Sequence, residues 1–420
     1  MVRRMRDDNA AGRPRVAFFP GFLGPAGGGA ARSACLIAAS LAARGCRVFV
    51  EGLRDGAGSE MASSDMAGSD RVGSDRAGSD ILRELPLGGC DVRVHRAASA
   101  DHGLCSAAAV ARLRSIISEL DVVHFNGHWN PLNHALAEVC HAAGVPYIIS
   151  ARSSADPANM RLGGVKNLSV LEANERRYVS NAFAVHVTSS IEKRRARFAA
   201  TPQRVLTICN PVELDHLGEL PSRCAARHAL GIPGQQLALL YYGRLVPQKQ
   251  PDFAVRVLAQ LPRQESVHLY LVGAGTDEDI KTIRGAASTH SVTGQVHLMG
   301  HASGASRADW LAAADALLLP SLAENFSLTL VESVASGLPA VVSPNVGALE
   351  YLQPHDATVI ALDTRLWADA CAGLLRASAG PREKPLTRLQ DLFRPERIVQ
   401  DWLDVYEEHG LASLFERRAR

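Results

Sequence analysis

The feature that most constrains this chain is an alternation that runs through it twice. Short apolar runs are each followed by a longer stretch with helical spacing. In the first half the runs are Val16–Phe19, Arg47–Val50, Val122–Phe125, Tyr147–Ser150, Ala184–Thr188 and Val205–Ile208. In the second half they are Leu237–Tyr242, Val267–Val272, Val296–Met299, Ala316–Leu319, Ala340–Ser343 and Thr358–Ala361. Several are apolar at consecutive positions, as a strand must be when helices cover both faces of its sheet. Strand and helix in alternation give right-handed crossovers and a parallel sheet. The pattern pauses near Asn210–Leu220 and then restarts, so two α/β domains joined by a hinge are expected. The chain's 420 residues suit two domains better than one core.

Residues 56–80 break the alternation. Gly-Ser-Asp occurs there three times, at Gly68–Asp70, Gly73–Asp75 and Gly78–Asp80. Such a run buries too little apolar surface to offset the cost of ordering it, and a flexible insertion is expected. At the other end, Pro395–Glu408 reads as an amphipathic helix with Ile398, Trp402, Val405 and Tyr406 near one face. The expected division is therefore 1–210, 211–394 and a C-terminal helical segment 395–420 that packs back toward the first domain.

Charge and cysteine content narrow the function classes. A formal net charge of +2 argues against a nucleic-acid partner, which calls for a basic excess. The eight cysteines form no C-x-x-C pair and no zinc spacing with histidine, so buried free thiols in a reducing compartment are expected. Arg3, Arg4 and Arg6 are followed by Asp7, Asp8 and Asn9, not by the apolar run of a secretory leader. No segment reaches the roughly 20 apolar residues of a membrane helix. A cytoplasmic protein is expected, with a peripheral contact to anionic membrane on the cytoplasmic face through Lys193, Arg194, Arg195 and Arg197.

Two motifs carry the chemistry. The first is Ala323-Glu324-Asn325-Phe326-Ser327-Leu328-Thr329-Leu330-Val331-Glu332, placed between the buried run Ala316–Leu319 and a helix of about three turns closed by Gly337. A strand, a loop and a helix N-terminus form an anion site, with free N–H groups near Ser327, Leu328 and Thr329 aimed at a phosphate. Glu332 is placed to accept hydrogen bonds from a ribose diol, and Glu324 to grip a sugar. The second motif, Gly243-Arg244-Leu245-Val246-Pro247-Gln248-Lys249, ends the first strand of the second half. Arg244 can fork onto phosphate oxygens and Lys249 adds a point charge, together neutralising a diphosphate.

Gly-Arg-Leu-x-x-x-Lys followed by Glu-x7-Glu resembles the retaining family 4 glycosyltransferases (glycosyl transferases group 1) of the GT-B fold. Leu271–Gly275, Val296–Gly300 and Ala314-Asp315 agree in order. The resemblance implies two Rossmann-like domains with parallel sheets facing across a cleft. It places Arg244 and Lys249 on the diphosphate and Glu324 on the donor sugar. Asn325, Phe326, Ser327 and Leu328 offer backbone N–H groups, Glu332 holds the ribose, and the base lies near Gly273 and Met299. The family often has glycine where Ser327 stands.

The first half is similar to the family more weakly. Asp121–Pro131 resembles a His-x-His-Gly-Leu-Trp-Asn-Pro segment, with Asn126 at the second histidine and His128 at the leucine. The resemblance implies that His124 sits near the reacting sugar as a catalytic group beside Glu324, Arg244 and Lys249. It puts Asn126, His128 and Arg152 on the acceptor side. Gly27 and Gly28, in the loop after the first strand, would let backbone approach the donor phosphate.

The implied activity is transfer of a hexose-type sugar from a UDP- or GDP-sugar to a glycan or lipid-linked acceptor. It proceeds with retention, in polysaccharide or lipopolysaccharide assembly. No cofactor is expected, and no metal, since there is no Asp-x-Asp donor loop and Asp277-Glu278-Asp279 reads as a helix start. The alternatives are a non-catalytic sugar-nucleotide-binding subunit, a nucleotide-sugar epimerase on the same fold, or a phosphorylase, for which no pyridoxal-phosphate lysine is apparent.

Overall fold

The computed structural model describes residues 13–23, 28–54, 70–71, 85–96, 98–100, 103–160, 168–262, 266–302, 305–377 and 384–411. Of the Gly/Ser/Asp-rich stretch 56–80, all but Asp70 and Arg71 lies outside the described residues. The chain divides into two compact units. Unit 1 comprises Met1–Thr188, Arg195–Pro211 and Pro395–Arg420; unit 2 comprises Ser189–Arg194 and Val212–Arg394. A boundary at residue 210 therefore misses the short segment 189–194, which groups with unit 2. There Ser189 Oγ donates to Asn325 O (3.2 Å), and Ser190 donates through N and Oγ to Glu350.

Unit 1 is built on β1 (Arg15–Phe19), β2 (Arg47–Arg54), β3 (Asp70–Arg71), β4 (Asp91–Arg96), β5 (Ala98–Ala100), β6 (Gly103–Cys105), β7 (Val122–Asn126), β8 (Tyr147–Ser150), β9 (Ala184–Val187) and β10 (Val205–Thr207). Its main sheet runs β10-β9-β8-β7-β1-β2-β4-β3, parallel except for β3, and β5 and β6 form a separate antiparallel ribbon. Val16 of β1 stands between Val48 of β2 and Val122 of β7. The chain moves outward from β1 on one side, then crosses to β7 and moves outward on the other. That reversal opens a crevice beyond the carboxyl ends of β1 and β7, where open α/β sheets receive ligands. Asn130 caps the helix Pro131–Ala143 by accepting from Leu132 N (3.0 Å), and Gly144 at φ 65° ends it. The helix Pro395–Glu408 buries Ile398, Val399, Trp402, Leu403 and Tyr406 within this unit.

Unit 2 contains β11 (Leu237–Tyr242), β12 (Val267–Val272), β13 (Val296–Gly300), β14 (Ala316–Leu319), β15 (Ala340–Val342) and β16 (Thr358–Val359). They lie in the order β13-β12-β11-β14-β15-β16, all parallel. The switch point here falls between β11 and β14, where Leu239 pairs with Ala316. Asp315 locks the amino end of that junction. Fully buried, it accepts from Arg223 (2.6 Å), Arg227 (2.8 Å) and Ala238 N (2.7 Å). Three donors, two of them cationic, offset the desolvation of one carboxylate.

The free-thiol expectation needs one amendment. Cys35, Cys46, Cys140, Cys209 and Cys371 are buried, but Cys90 is half-buried and Cys224 is exposed. Burial pushes the Cys35 and Cys371 thiols up to about 12. No helix among the described residues is long and apolar enough to cross a membrane.

Candidate active site

The two motifs of unit 2 leave the carboxyl ends of β11 and β14, on either side of its switch point. The Arg244 loop turns through Pro247–Lys249 and is tied to the Glu324 loop, Leu322 N donating to Gln248 O (2.8 Å). Tyr241, buried under the turn, donates its hydroxyl to Arg244 O (2.9 Å), and burial holds its phenol well above the ordinary range. Arg244 is exposed, and no carboxylate pairs with it among the described residues. Lys249 and Glu324 instead form one ion pair at 2.5 Å, with side chains 20% and 12% exposed. The residues expected on phosphate and on sugar thus stand as a unit, with positive charge in excess because of Arg244.

The Glu324 loop is stitched to its neighbour like a short parallel bridge. Glu324 N donates to Asn345 O (3.0 Å), Gly347 N to Glu324 O (3.0 Å), and Ala348 N to Phe326 O (2.8 Å). A Cβ on Gly347 would stand 1.8 Å from Asn325 O, so no other residue fits there. The Phe326 side chain is buried against Tyr351 and Phe393 and anchors the loop. The helix that follows spans Leu328–Ala335, two turns and not three. Ser327 precedes it at φ 81°, ψ 89°, with its Oγ accepting from Leu330 N (3.3 Å). The positive φ explains why glycine suits this position. The first amides of the helix, on Leu328 and Thr329, receive no such cap and are available to an anion.

Glu332 lies inside that helix and is 3% exposed. One of its oxygens is held by Arg307, a residue that sequence reasoning missed because 25 positions separate the two. On the β12 side, Gly273 passes so close to Gly243 that a Cβ there would stand 1.8 Å from Gly243 O. Gly243 N donates to Val272 O (2.9 Å) and Gly273 N to Gly300 O (2.7 Å), so the strand ends form a continuous rim. Met299, at the end of β13, is 41% exposed. Asp279, which a metal reading would need, is committed to a capping box with Thr276. Among the described residues no three His, Cys, Asp or Glu side chains cluster as metal ligands.

In unit 1 the geometry does not support the expected role of His124. Its ring is 2% exposed, stacked on Phe18 (4.6 Å), edge-on to Trp402 (4.9 Å) and hydrogen-bonded to Tyr406 OH (2.7 Å). Burial, then the charges of His186 and Arg152, lower its pKa to about 3, so the ring is neutral and structural. Asn126, one pleat further on, is the group that reaches the switch point. Its Nδ2 donates weakly to Pro20 O and Ala30 O, both at 3.4 Å. Gly28 opens the adjoining helix at φ 54°, while Gly27 lies outside the described residues.

His128 is also buried rather than presented to an acceptor. Its Nδ1 bonds Glu175 (2.7 Å), which likewise takes His134 Nε2 (2.7 Å) and Trp129 N (2.6 Å). Burial alone would raise the Glu175 pKa, but bonds from the two histidines bring it down to about 2. This carboxylate holds Trp129 at φ 60°, a conformation a bulky residue keeps only when its surroundings impose it. Arg152, at φ 50°, donates to Asn210.

Two Rossmann-like halves with parallel sheets define the GT-B class, and the second brings Arg244, Lys249 and the helix start at Leu328 to its switch point. Comparison with known proteins places the chain within that class. Residues 236–377 match the family model described as glycosyl transferases group 1, and residues 28–211 match a glycosyl transferase 4-like domain. The chain belongs to this glycosyltransferase family. The D-inositol 3-phosphate glycosyltransferase of Mycobacterium tuberculosis is 30% identical over 254 residues, covering 58% of this chain and 52% of the relative. The chain thus spans about half the length of the curated relatives it matches. Sucrose-phosphate synthase from Thermosynechococcus elongatus superposes with a TM-score of 0.69 at 19% identity, covering 95% of this chain and 100% of that one. Anabaena HepE in complex with UDP and glucose gives 0.69 at 17%, covering 94% and 100%. At such identities the likeness establishes the fold.

Proposed function

We propose that the chain transfers a hexose-type sugar from a UDP- or GDP-sugar to a glycan or lipid-linked acceptor, with retention, in polysaccharide or lipopolysaccharide assembly. One observation carries the reading: Arg244, the Lys249–Glu324 pair and the uncapped amides of Leu328 and Thr329 occur together at the carboxyl edge of the unit 2 switch point. A relative named for glycosyl transfer to inositol 3-phosphate, and a neighbour held with UDP and glucose, support it.

In this reading Arg244 and Lys249 neutralise the departing diphosphate, and the amides of Leu328 and Thr329 bind its oxygens. Glu324, already paired with Lys249, orients the sugar hydroxyls. Glu332 accepts from the ribose, and the base lies against Gly273 and Met299. The acceptor hydroxyl attacks on the face from which the diphosphate leaves and gives its proton to the leaving phosphate oxygen. The C1–O bond to the diphosphate breaks as the new glycosidic bond forms. Positioning and fixed charge then supply the rate. Cations on the phosphate make a metal unnecessary. Asn126 and Arg152 face the acceptor; His124 takes no part.

The inward-turned His124 and the Asn126 position favour one second reading, a non-catalytic sugar-nucleotide-binding subunit. Incubation with UDP-glucose, UDP-N-acetylglucosamine and GDP-mannose, each with sugar acceptors including D-inositol 3-phosphate, separates the two. Acceptor-dependent release of UDP or GDP, with an axial product linkage from an axial donor by NMR, supports transfer with retention. Nucleotide binding without release supports the second reading, and donor turnover without acceptor indicates an epimerase.

A further inference from the structure

Glu332 and Arg307 form an arrangement that a ribose contact alone does not require. The Glu332 side chain is 4% exposed and sits in the first turns of the helix Leu328–Ala335. One oxygen, Oε2, is hydrogen-bonded to Arg307 Nη2. No described residue donates to the other oxygen, Oε1. Arg307 comes from the helix Ala305–Ala313, and its guanidinium lies 5.2 Å over the ring of Tyr242. Tyr242 ends β11 and is itself pinned by a bond from its hydroxyl to Ala302 O (2.7 Å). The Arg307 side chain is only 19% exposed, so its rotamer is limited by packing on both sides.

A carboxylate this buried is costly unless a partner meets it. Arg307 meets it from one side only. A guanidinium placed over the Tyr242 ring and bonded to Oε2 restricts how the carboxylate can turn more than a lysine on a flexible stem would. One oxygen is therefore held by Arg307, and the other is met by no described residue.

We propose that Arg307 is a positioning residue for the nucleotide. It holds Oε2 and turns Glu332 so that Oε1 accepts from the ribose hydroxyls, making the site selective for ribose over its deoxy forms. The inference rests on the reading of unit 2 as the nucleotide site and adds the residue that makes Glu332 competent within it.

The test is calorimetric titration of the full chain with UDP and GDP, then with the 2′,3′-dideoxy form of whichever binds. Native protein, Arg307→Met, Arg307→Lys and Glu332→Gln are compared. Met keeps the stem over Tyr242 without the charge; Lys keeps charge without the plane. A bond to a charged acceptor corresponds to roughly 10- to 100-fold in affinity. Arg307→Met should therefore raise the ribonucleotide Kd about tenfold, leave the dideoxynucleotide Kd within about twofold, and match Glu332→Gln in losing discrimination. Arg307→Lys should recover part of the loss. Equal weakening of both nucleotides by Arg307→Met, or unchanged discrimination, overturns the proposal. Binding of neither UDP nor GDP by native protein overturns the site reading beneath it, and the inference with it.

Discussion

Ser327 offers a test in which strain and capping pull in opposite directions. The residue stands at φ 81°, ψ 89°, and is 7% exposed. A side chain with a Cβ in the left-handed region costs roughly 1–2 kcal/mol relative to glycine. Its Oγ compensates by accepting from Leu330 N at 3.3 Å, a cap contributing about 1 kcal/mol over alanine. Ser327→Ala keeps the strain and loses the cap, so unit 2 should lose about 1 kcal/mol. Ser327→Gly loses the side-chain cap, which glycine replaces at a cost of only a few tenths of a kcal/mol. It also relieves the strain, while adding unfolded-state entropy of about 0.5–1 kcal/mol. The net change for glycine is near zero, and glycine should be more stable than alanine by roughly 1 kcal/mol. Urea unfolding followed by tryptophan emission reads this, because Trp310 and Trp367 are buried in unit 2. Trp129→Phe and Trp402→Phe in the background would isolate that signal. A glycine variant as unstable as alanine, or less stable, would refute the strain argument. An alanine variant equal to wild type would refute the cap.

Other predictions follow from unit 1 and from the charge set of unit 2. His124 and His186 are held near a pKa of about 3 against an ordinary 6.5, chiefly by burial. The unfolded chain therefore binds protons that the folded one refuses, and stability is full above pH 6.5 and falls toward pH 3. Each histidine contributes a slope of about 1.4 kcal/mol per pH unit in that window, so urea midpoints should drop steadily below pH 6; a flat profile contradicts the burial. Glu175, lowered to about 2 from 4.5, adds a further loss as pH falls from 4.5 to 2. Glu175→Ala strands two buried histidines and should cost about 3–5 kcal/mol, read as a lower unfolding midpoint of the Trp402 signal; a shift under 1 kcal/mol contradicts its role. Transfer activity should survive excess EDTA, since Arg244 and Lys249 supply the positive charge, and complete loss restored by a divalent cation would show that they do not suffice.

What could be read from sequence follows the reach of each signal. Strands buried on both faces announced themselves, and β11, β12 and β14 begin and end where their apolar runs do. The strand Asp91–Arg96 is not among the expected strands, because Asp-Val-Arg-Val-His-Arg has no consecutive apolar run; its alternation is that of a half-buried strand. It lies beside β2 near the sheet edge, where a half-exposed strand tolerates that pattern. The Arg244 and Glu324 motifs were legible because a turn and a helix start are local events. Their pairing through Lys249 was not, since it depends on β11 and β14 being neighbours. His124 was placed correctly at a strand but not in its burial, because Trp402 and Tyr406, which cover it, come from the far end of the chain. Arg307 and Gly347 carry no local signature: each matters only through a residue more than 20 positions away.

The donor site is tested most directly by calorimetric binding of UDP and GDP in the presence of EDTA, by native protein and by Arg244→Ala and Glu332→Ala. One nucleotide should bind without metal, and each substitution should weaken it by about tenfold or more. A folded native protein that binds neither nucleotide, or binds one with no loss in either variant, would contradict the assignment of the unit 2 switch point as the donor site.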